Sequence, residues 1–449
     1  MSSMGMKRLN GEATMSRMLS LGLIVLAGVL LGAGVRGAEG EGQPEEELDQ
    51  IITVDGARIP PTTISKDDYV SVEGKHGPLP AKVFSCNVKE VLYADRDPSY
   101  NQAIDQRDLG RYRVAGLYYH KALQNMKEKK WADEYCSYYL GCMFFANGDF
   151  NGYKGRSGTE YAPPSVYFKR VLEKNPKTRF LPDLLPKLVR TLAEEGKLAE
   201  ADAAAKDADA KLKTYQDETT RIASGFDKVI KLARAQLAAA QARLAECKAV
   251  KDANPAEWAA ARDAWHRVVG QVKDYPELLT EATNSELMDL LKMGQSDAAK
   301  NEANNTIEKY RKEGDLKLLP ALPGAYTVVG LANYTQAIDF DGKGNKVQAQ
   351  KLYAEARWAF INVMGQFFDN EDYVAQSYYY AGLCYDKLRD IESDAAEKAV
   401  RSWKVVVRDF ANTGFKALAE KELQRVGSAP AAAPAAPAAP KPAEPAKKG

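Results

Sequence analysis

The chain has 449 residues, of which 45% are hydrophobic and 27% charged, enough to bury a core in one large or two to three smaller units. Lys plus Arg number 62 and Asp plus Glu 61, so no global field draws the chain to nucleic acid or to an anionic membrane surface. Three His and five Cys, with no CxxC pair, argue against a zinc site, a His-dependent hydrolase and a disulfide framework.

Residues 1–38 read as an export signal. Basic Lys7, Arg8 and Arg17 precede the apolar run Leu19 to Val35, and the small residues of VRGA place cleavage near Gly37 or Ala38. The alternative is an uncleaved anchor, since residues 19–35 reach the short limit for crossing a bilayer. Both readings put the body outside the cytoplasm. No Cys follows the run for lipid attachment. Residues 39–47 are an acidic leader.

Residues 48–95 change period. IITV, ARIPPTTI, YVSVE, PLPAKV and KEVLYAD are short β-type runs, and Asp55-Gly56 between the first two is a hairpin signal. Pro60 and Pro61 make the second run an edge strand or a bent one. This spacing resembles the SH3-like or Sm-like small barrels that precede helical repeats in some exported bacterial proteins. Such a unit is marginal alone, so it is expected to dock on the helices.

Helices are predicted from Pro98 to Val426. Ala103 precedes Gly110 by seven residues, with Tyr112, Ala115, Tyr119 and Ala122 beyond. Gly141 and Gly148 repeat the spacing, followed by Phe150, Phe168, Val171 and Pro176, with an insertion from Asn151 to Pro164. Val189 and Gly196 repeat it again, with Leu198, Ala201, Ala205 and Ala208. Small residues are expected where paired helices approach, and aromatic residues between pairs. The pattern over residues 98–210 resembles the tetratricopeptide repeat (TPR) family, whose unit is a helix pair of about 34 residues.

From Leu198 to Cys247 small and apolar residues run in steps of three and four, through Ala205, Leu212, Tyr215, Ala233 and Leu244. This long heptad-patterned arm, residues 198–250, folds as a hairpin at Gly225 or pairs with a second copy as a coiled coil. Residues 256–426 read as degenerate and C-terminal repeats, turning at Gly294 and broken by a Pro-bounded connector at Lys317 to Pro323. QSYYYAGLCYDKL, then Trp403, Val406 and Val407, resemble the envelope branch of the same family. Residues 427–449 are an Ala/Pro-rich tail that cannot build a core.

Catalytic motifs GxSxG, HExxH and GxxxxGK[ST] are absent. His76, His120 and His266 have no partner at ligand spacing. DFNGYKGRSG, from Asp149 to Gly158, reads as a flexible loop without Walker spacing. DFDGKGN, from Asp339, reads as a helix-linking turn, because Lys343 and Gln350 stand where calcium ligands are wanted.

The TPR resemblance implies a mainly α solenoid of helical hairpins behind a small β-barrel-like domain. It also implies a groove lined by the first helix of each pair. Carried onto this sequence, the groove positions are Tyr100, Ile104, Arg107 and Asp108; Tyr138, Cys142 and Phe145; Arg190 and Glu194; and Tyr379, Leu383, Asp386 and Lys387. The expected function is a non-enzymatic exported scaffold with a protein or peptide partner in the envelope, no cofactor and no metal. Two alternatives stay open: a spacer that self-associates through the arm, and a carbohydrate-binding or enzymatic protein, whose mark would be paired carboxylates at a cleft.

Overall fold

The computed structural model describes residues 48–427, apart from 77–78, 156–157, 253, 315 and 412. The expected signal or anchor and the acidic leader lie outside these residues, as does the tail from 428.

Five strands open the fold: β1 (Asp49–Thr53), β2 (Arg58–Asp67), β3 (Ser71–His76), β4 (Leu79–Phe84) and β5 (Val88–Leu92). All pairings are antiparallel, in the order β4-β3-β2-β1-β5, with one 3-10 turn before β5. Gly56 turns β1 into β2 at φ 85°, a left-handed value that glycine adopts without a Cβ clash. β2 is the bent strand: residues up to Thr62 pair with β1, and residues from Thr63 pair with β3. Pro60 and Pro61 fall in the half that pairs with β1 alone, so their missing N–H groups break no second ladder.

Among the described residues fifteen α-helices follow, as seven consecutive pairs and a last helix. The first three pairs are α1 (Pro98–Asp108) with α2 (Tyr112–Asn125), α3 (Lys130–Ala146) with α4 (Pro164–Lys174), and α5 (Leu181–Glu194) with α6 (Leu198–Thr219). Next come α7 (Gly225–Asp252) with α8 (Pro255–Gln271), and α9 (Pro276–Lys292) with α10 (Ser296–Glu313). The last are α11 (Leu322–Gly342) with α12 (Lys346–Gln366), α13 (Glu371–Leu388) with α14 (Ala395–Asp409), and α15 (Phe415–Gly427).

The repeat glycines have a different role from the one their spacing implies. Gly110, Gly148, Gly196, Gly294 and Gly344 all have positive φ, and a Cβ on any of them would meet nothing within 4 Å. Each ends the first helix of its pair. Gly110 N–H donates to the Arg107 carbonyl and Arg111 N–H to the Gln106 carbonyl, both at 2.9 Å. The same two bonds recur at the other four glycines, which makes each a Schellman cap that satisfies the orphan carbonyls. Close approach is carried by other glycines. A Cβ on Gly141 would lie 2.7 Å from Phe168, on Gly330 2.6 Å from Phe360, and on Gly382 2.4 Å from Trp403. The second helix of each of these pairs thus presses an aromatic ring onto the backbone of the first.

The long seam is a hairpin within the chain. Ala201, Ala205, Ala208, Leu212 and Tyr215 on α6, and Phe226, Ala233, Leu237, Ala240 and Leu244 on α7, are buried. They pack with Leu181, Leu185 and Val189 of α5 and with Tyr69 of the β domain. The face that a coiled-coil partner would need is therefore covered, which corrects the intermolecular reading. The β domain docks here as expected: Tyr69 meets Tyr215 edge-on at 5.2 Å, and Phe84 meets Phe226 at 6.3 Å.

The insertion in the second repeat is also more ordered than a flexible loop. β6 (Tyr153–Lys154) and β7 (Glu160–Tyr161) form a two-stranded ladder, and Tyr161 packs against Phe144 and His120. DFDGKGN is the end of α11 and its glycine cap, with Lys343 bonded to Asp339 at 2.6 Å. All five cysteines are free thiols.

Candidate functional site

A cleft of about 970 Å³ lies where the β domain meets the first repeats. β1, β2 and β5 supply one wall, including Ile52, Arg58, Lys89 and Glu90; α1, α3 and the start of α5 supply the other. Four of the expected groove residues line it: Ile104, Arg107, Asp108 and Tyr138.

Arg107 is fixed from three sides. Its Nη1 donates to Glu90 at 3.0 Å, its Nε to Asp108 at 2.9 Å, and its guanidinium lies over the Tyr139 ring at 5.4 Å. Glu90 is buried, so this bond tethers β5 to α1. Tyr138 stacks on Phe180 at 3.8 Å and donates its hydroxyl to Asp183. Such planar aromatic and guanidinium groups, already held in one rotamer, lose little entropy on binding.

Arg179 sits deeper, in the turn before α5. Only 6% of its side chain is exposed, and its guanidinium lies over Phe180 at 4.3 Å and Tyr135 at 5.1 Å. Its Nε donates to the Tyr135 hydroxyl at 2.9 Å and stands 3.7 Å from Asp67. Tyr135 and Tyr93 both donate to Asp67. Burial pushes the Asp67 carboxyl up, and Arg179 and the two phenols oppose that shift. Nη2 of Arg179 has no hydrogen-bond partner among the described residues.

The remaining expected positions divide between core and other cavities. Tyr100 is 1% exposed and packs edge-on against Tyr119 and Trp131. It is a core residue and offers no groove surface, a correction that follows from the extra aromatic layer under the β domain. Tyr379 is likewise buried, against Phe415. Cys142 is half-buried, and burial pushes its thiol up to about 11, which favours the protonated form. Phe145 packs on Phe150, with the Arg190 guanidinium 5.7 Å above its ring. Arg190 pairs with Glu281 at 2.7 Å, and Glu194 with Arg243 at 2.7 Å. Glu194 lines a second cavity of about 660 Å³. Leu383, Asp386 and Lys387 line a third, of about 450 Å³, where Asp386 pairs with Arg425 and Lys387 with Asp341. The thirteen positions therefore do not form one continuous site.

Repeat spacing missed Arg179, Phe180, Glu90 and Lys89, because the first two lie in a turn and the others in the β domain. The one available signal was a charged-aromatic pair, Arg179-Phe180, between Pro176 and Pro182. Among the described residues no group of three His, Cys, Asp or Glu could hold a metal ion, and no helix is long and apolar enough to cross a membrane.

Helices packed as consecutive pairs in the TPR manner, with a small antiparallel β domain ahead of them, define the class of this chain. No family model matches it, and no curated protein matches it. It is similar to BtubC (BKLC) from P. vanneervenii, at 12% identity and a TM-score of 0.29, over 63% of this chain and 94% of that one. It is similar to the TPR domain of P58(IPK), at 14% identity and a TM-score of 0.17, over 73% and 97%. A human IFIT1 dimer with PPP-AAAA is similar at 12% identity and a TM-score of 0.26, over 66% and 68%. Likenesses this distant carry no argument about what this chain binds.

Proposed function

We propose that the protein is an exported, non-enzymatic scaffold of the cell envelope that holds a segment of a partner protein in the cleft between its β domain and α1, α3 and α5. The observation that carries this reading is the cleft itself: about 970 Å³, walled by aromatic and arginine side chains. Such groups anchor protein interfaces. Arg107, Glu90, Tyr138 and Asp183 are tied into pairs with one another or with their neighbours, which supports binding over proton transfer. Export rests on the basic and apolar N-terminal pattern of residues 7–35.

Cell fractionation together with cleft variants tests the reading. The chain is expected in the envelope fraction, and Ile104→Asp combined with Lys89→Glu is expected to cut the yield of its cross-linked partner at least tenfold. A cytoplasmic chain would overturn export, and an unchanged yield would overturn the cleft.

A further inference from the structure

The cleft between the β domain and the helices carries an unbalanced set of charges. Most of the acids and bases that line it are tied off. Arg107 bonds Glu90 through Nη1 and Nη2, at 3.0 and 3.5 Å, and Asp108 through Nε. Asp183 takes Lys187 and the Tyr138 hydroxyl, and Arg179 stands against Asp67. Two charges are left over, Arg58 and Lys89, both cationic and both on the β wall. Both side chains are exposed, and among the described residues neither has an ion-pair or side-chain hydrogen-bond partner.

The ladders bring these two cations to one surface. Arg58 on β2 opposes Ile52 on β1, and Ile52 opposes Glu90 on β5. Directly opposed residues share a face of the sheet. Arg58, Ile52 and Glu90 therefore form a row on the face that meets Arg107 of α1. Simple alternation would point Lys89 to the other face, where Val91 is buried opposite Ile51. Instead the register slips: Ile52 opposes Glu90, while Thr53 opposes Val88. Lys89 is the extra residue of that bulge, and a bulge re-aims its side chain. Lys89 accordingly lines the cleft together with Glu90 and Leu92.

The opposite wall differs in kind. It presents Ile104, and Tyr138 stacked on Phe180, and its acids are already paired. An extended segment points alternate side chains in opposite directions, with residues i and i+2 about 7 Å apart. Arg58 and Lys89 lie on the strands either side of β1, so their stems stand about 10 Å apart. Side chains of that length reach two acids at i and i+2.

We propose that the cleft selects an extended acidic segment. Asp or Glu at alternate positions meets Arg58 and Lys89, and the apolar side chains between them meet Ile104 and Tyr138. Such selection rests on the cleft being the partner site proposed above, and it names the chemistry of the segment held there. The ion pairs are open to solvent, so they set preference more than total affinity and weaken with salt.

The test uses the full chain and three fluorescein-labelled hexapeptides, in which valine alternates with glutamate, glutamine or lysine, read by fluorescence anisotropy. The glutamate peptide should bind about tenfold tighter than the other two at low salt, a margin that shrinks as salt is added. Arg58→Glu with Lys89→Glu should turn the preference round in favour of the lysine peptide, a result that unfolding does not mimic. Equal binding of the three peptides, or a glutamate preference that survives the double reversal, would overturn acidic selection. Ile104→Gln separates that outcome from failure of the cleft: weakened binding of every peptide keeps the cleft, and unchanged binding removes it. No saturable binding of any peptide up to millimolar concentration would overturn acidic selection, while the cleft still stands or falls by the yield of its cross-linked partner.

Discussion

Asp289 shows how a single buried acid links packing to pH. Its ordinary value of 3.8 applies to the unfolded chain, while the fold raises it to about 8. Between those values the folded state keeps a proton that the unfolded state has released. The contribution of this group to stability is therefore complete below about pH 4, falls as pH rises towards 8, and levels off above it. Asp289→Asn removes the cost of burying the charge. The variant should match the parent near pH 4 and exceed it by about 1–3 kcal/mol at pH 9, as read by urea unfolding. A variant less stable than the parent at pH 9 would show that the carboxylate is satisfied in the fold. The glycines give a second prediction at this scale. Gly382→Ala drives a Cβ to 2.4 Å from Trp403 and should cost about 1–3 kcal/mol through overpacking. Gly110→Asn changes no packing, and at φ 71° it should cost well under about 1 kcal/mol, because Asn tolerates the left-handed region. Equal losses in the two variants would contradict the division between capping and close-approach glycines.

At the scale of elements, the junction of β2 with the start of α5 includes a buried ion pair. Arg179 and Asp67 are 3.7 Å apart, and both side chains are at most 10% exposed. Arg179→Met leaves Asp67 uncompensated and should destabilise the fold by about 3–5 kcal/mol. Asp67→Asn in the same chain should restore part of that loss, and a double-mutant cycle in urea measures it. The elements themselves were largely legible. Each expected β run falls on a strand, and the repeat glycines mark helix ends at Gly110, Gly148, Gly196 and Gly294. Local signals sufficed there because hairpin turns and helix caps are set by residues within a few positions of one another. The hairpin reading of the Leu198 to Cys247 seam holds, but its full cover was not legible. A heptad pattern says that a face must be covered, and the cover here is the neighbouring α5 together with Tyr69, which is remote in sequence. Tyr100 failed for a different reason: the repeat register placed it in a groove, while Tyr119 of its partner helix and Trp131 at the start of α3 pack edge-on against it and bury it.

Among the described residues the molecule combines a β domain and consecutive helix pairs with several separate cavities; the first gathers four expected groove residues and the third gathers three. The far wall of the first comes from Arg58, Lys89 and Glu90, and no repeat pattern could connect those with Tyr138 or Asp183. The second cavity joins Glu246 with Asp289, two acids on different helices that nothing local in sequence relates. The most direct measurement of the central claim is a photo-cross-linking scan in cells. An unnatural photoreactive residue would replace, one at a time, Lys89, Ile104 and Asp108 at the cleft, and the exposed Trp358 and Phe368 elsewhere. The cleft positions should cross-link to one common partner, while the other two positions should not. A partner captured from Trp358 or Phe368 and missing at all three cleft positions would contradict the account.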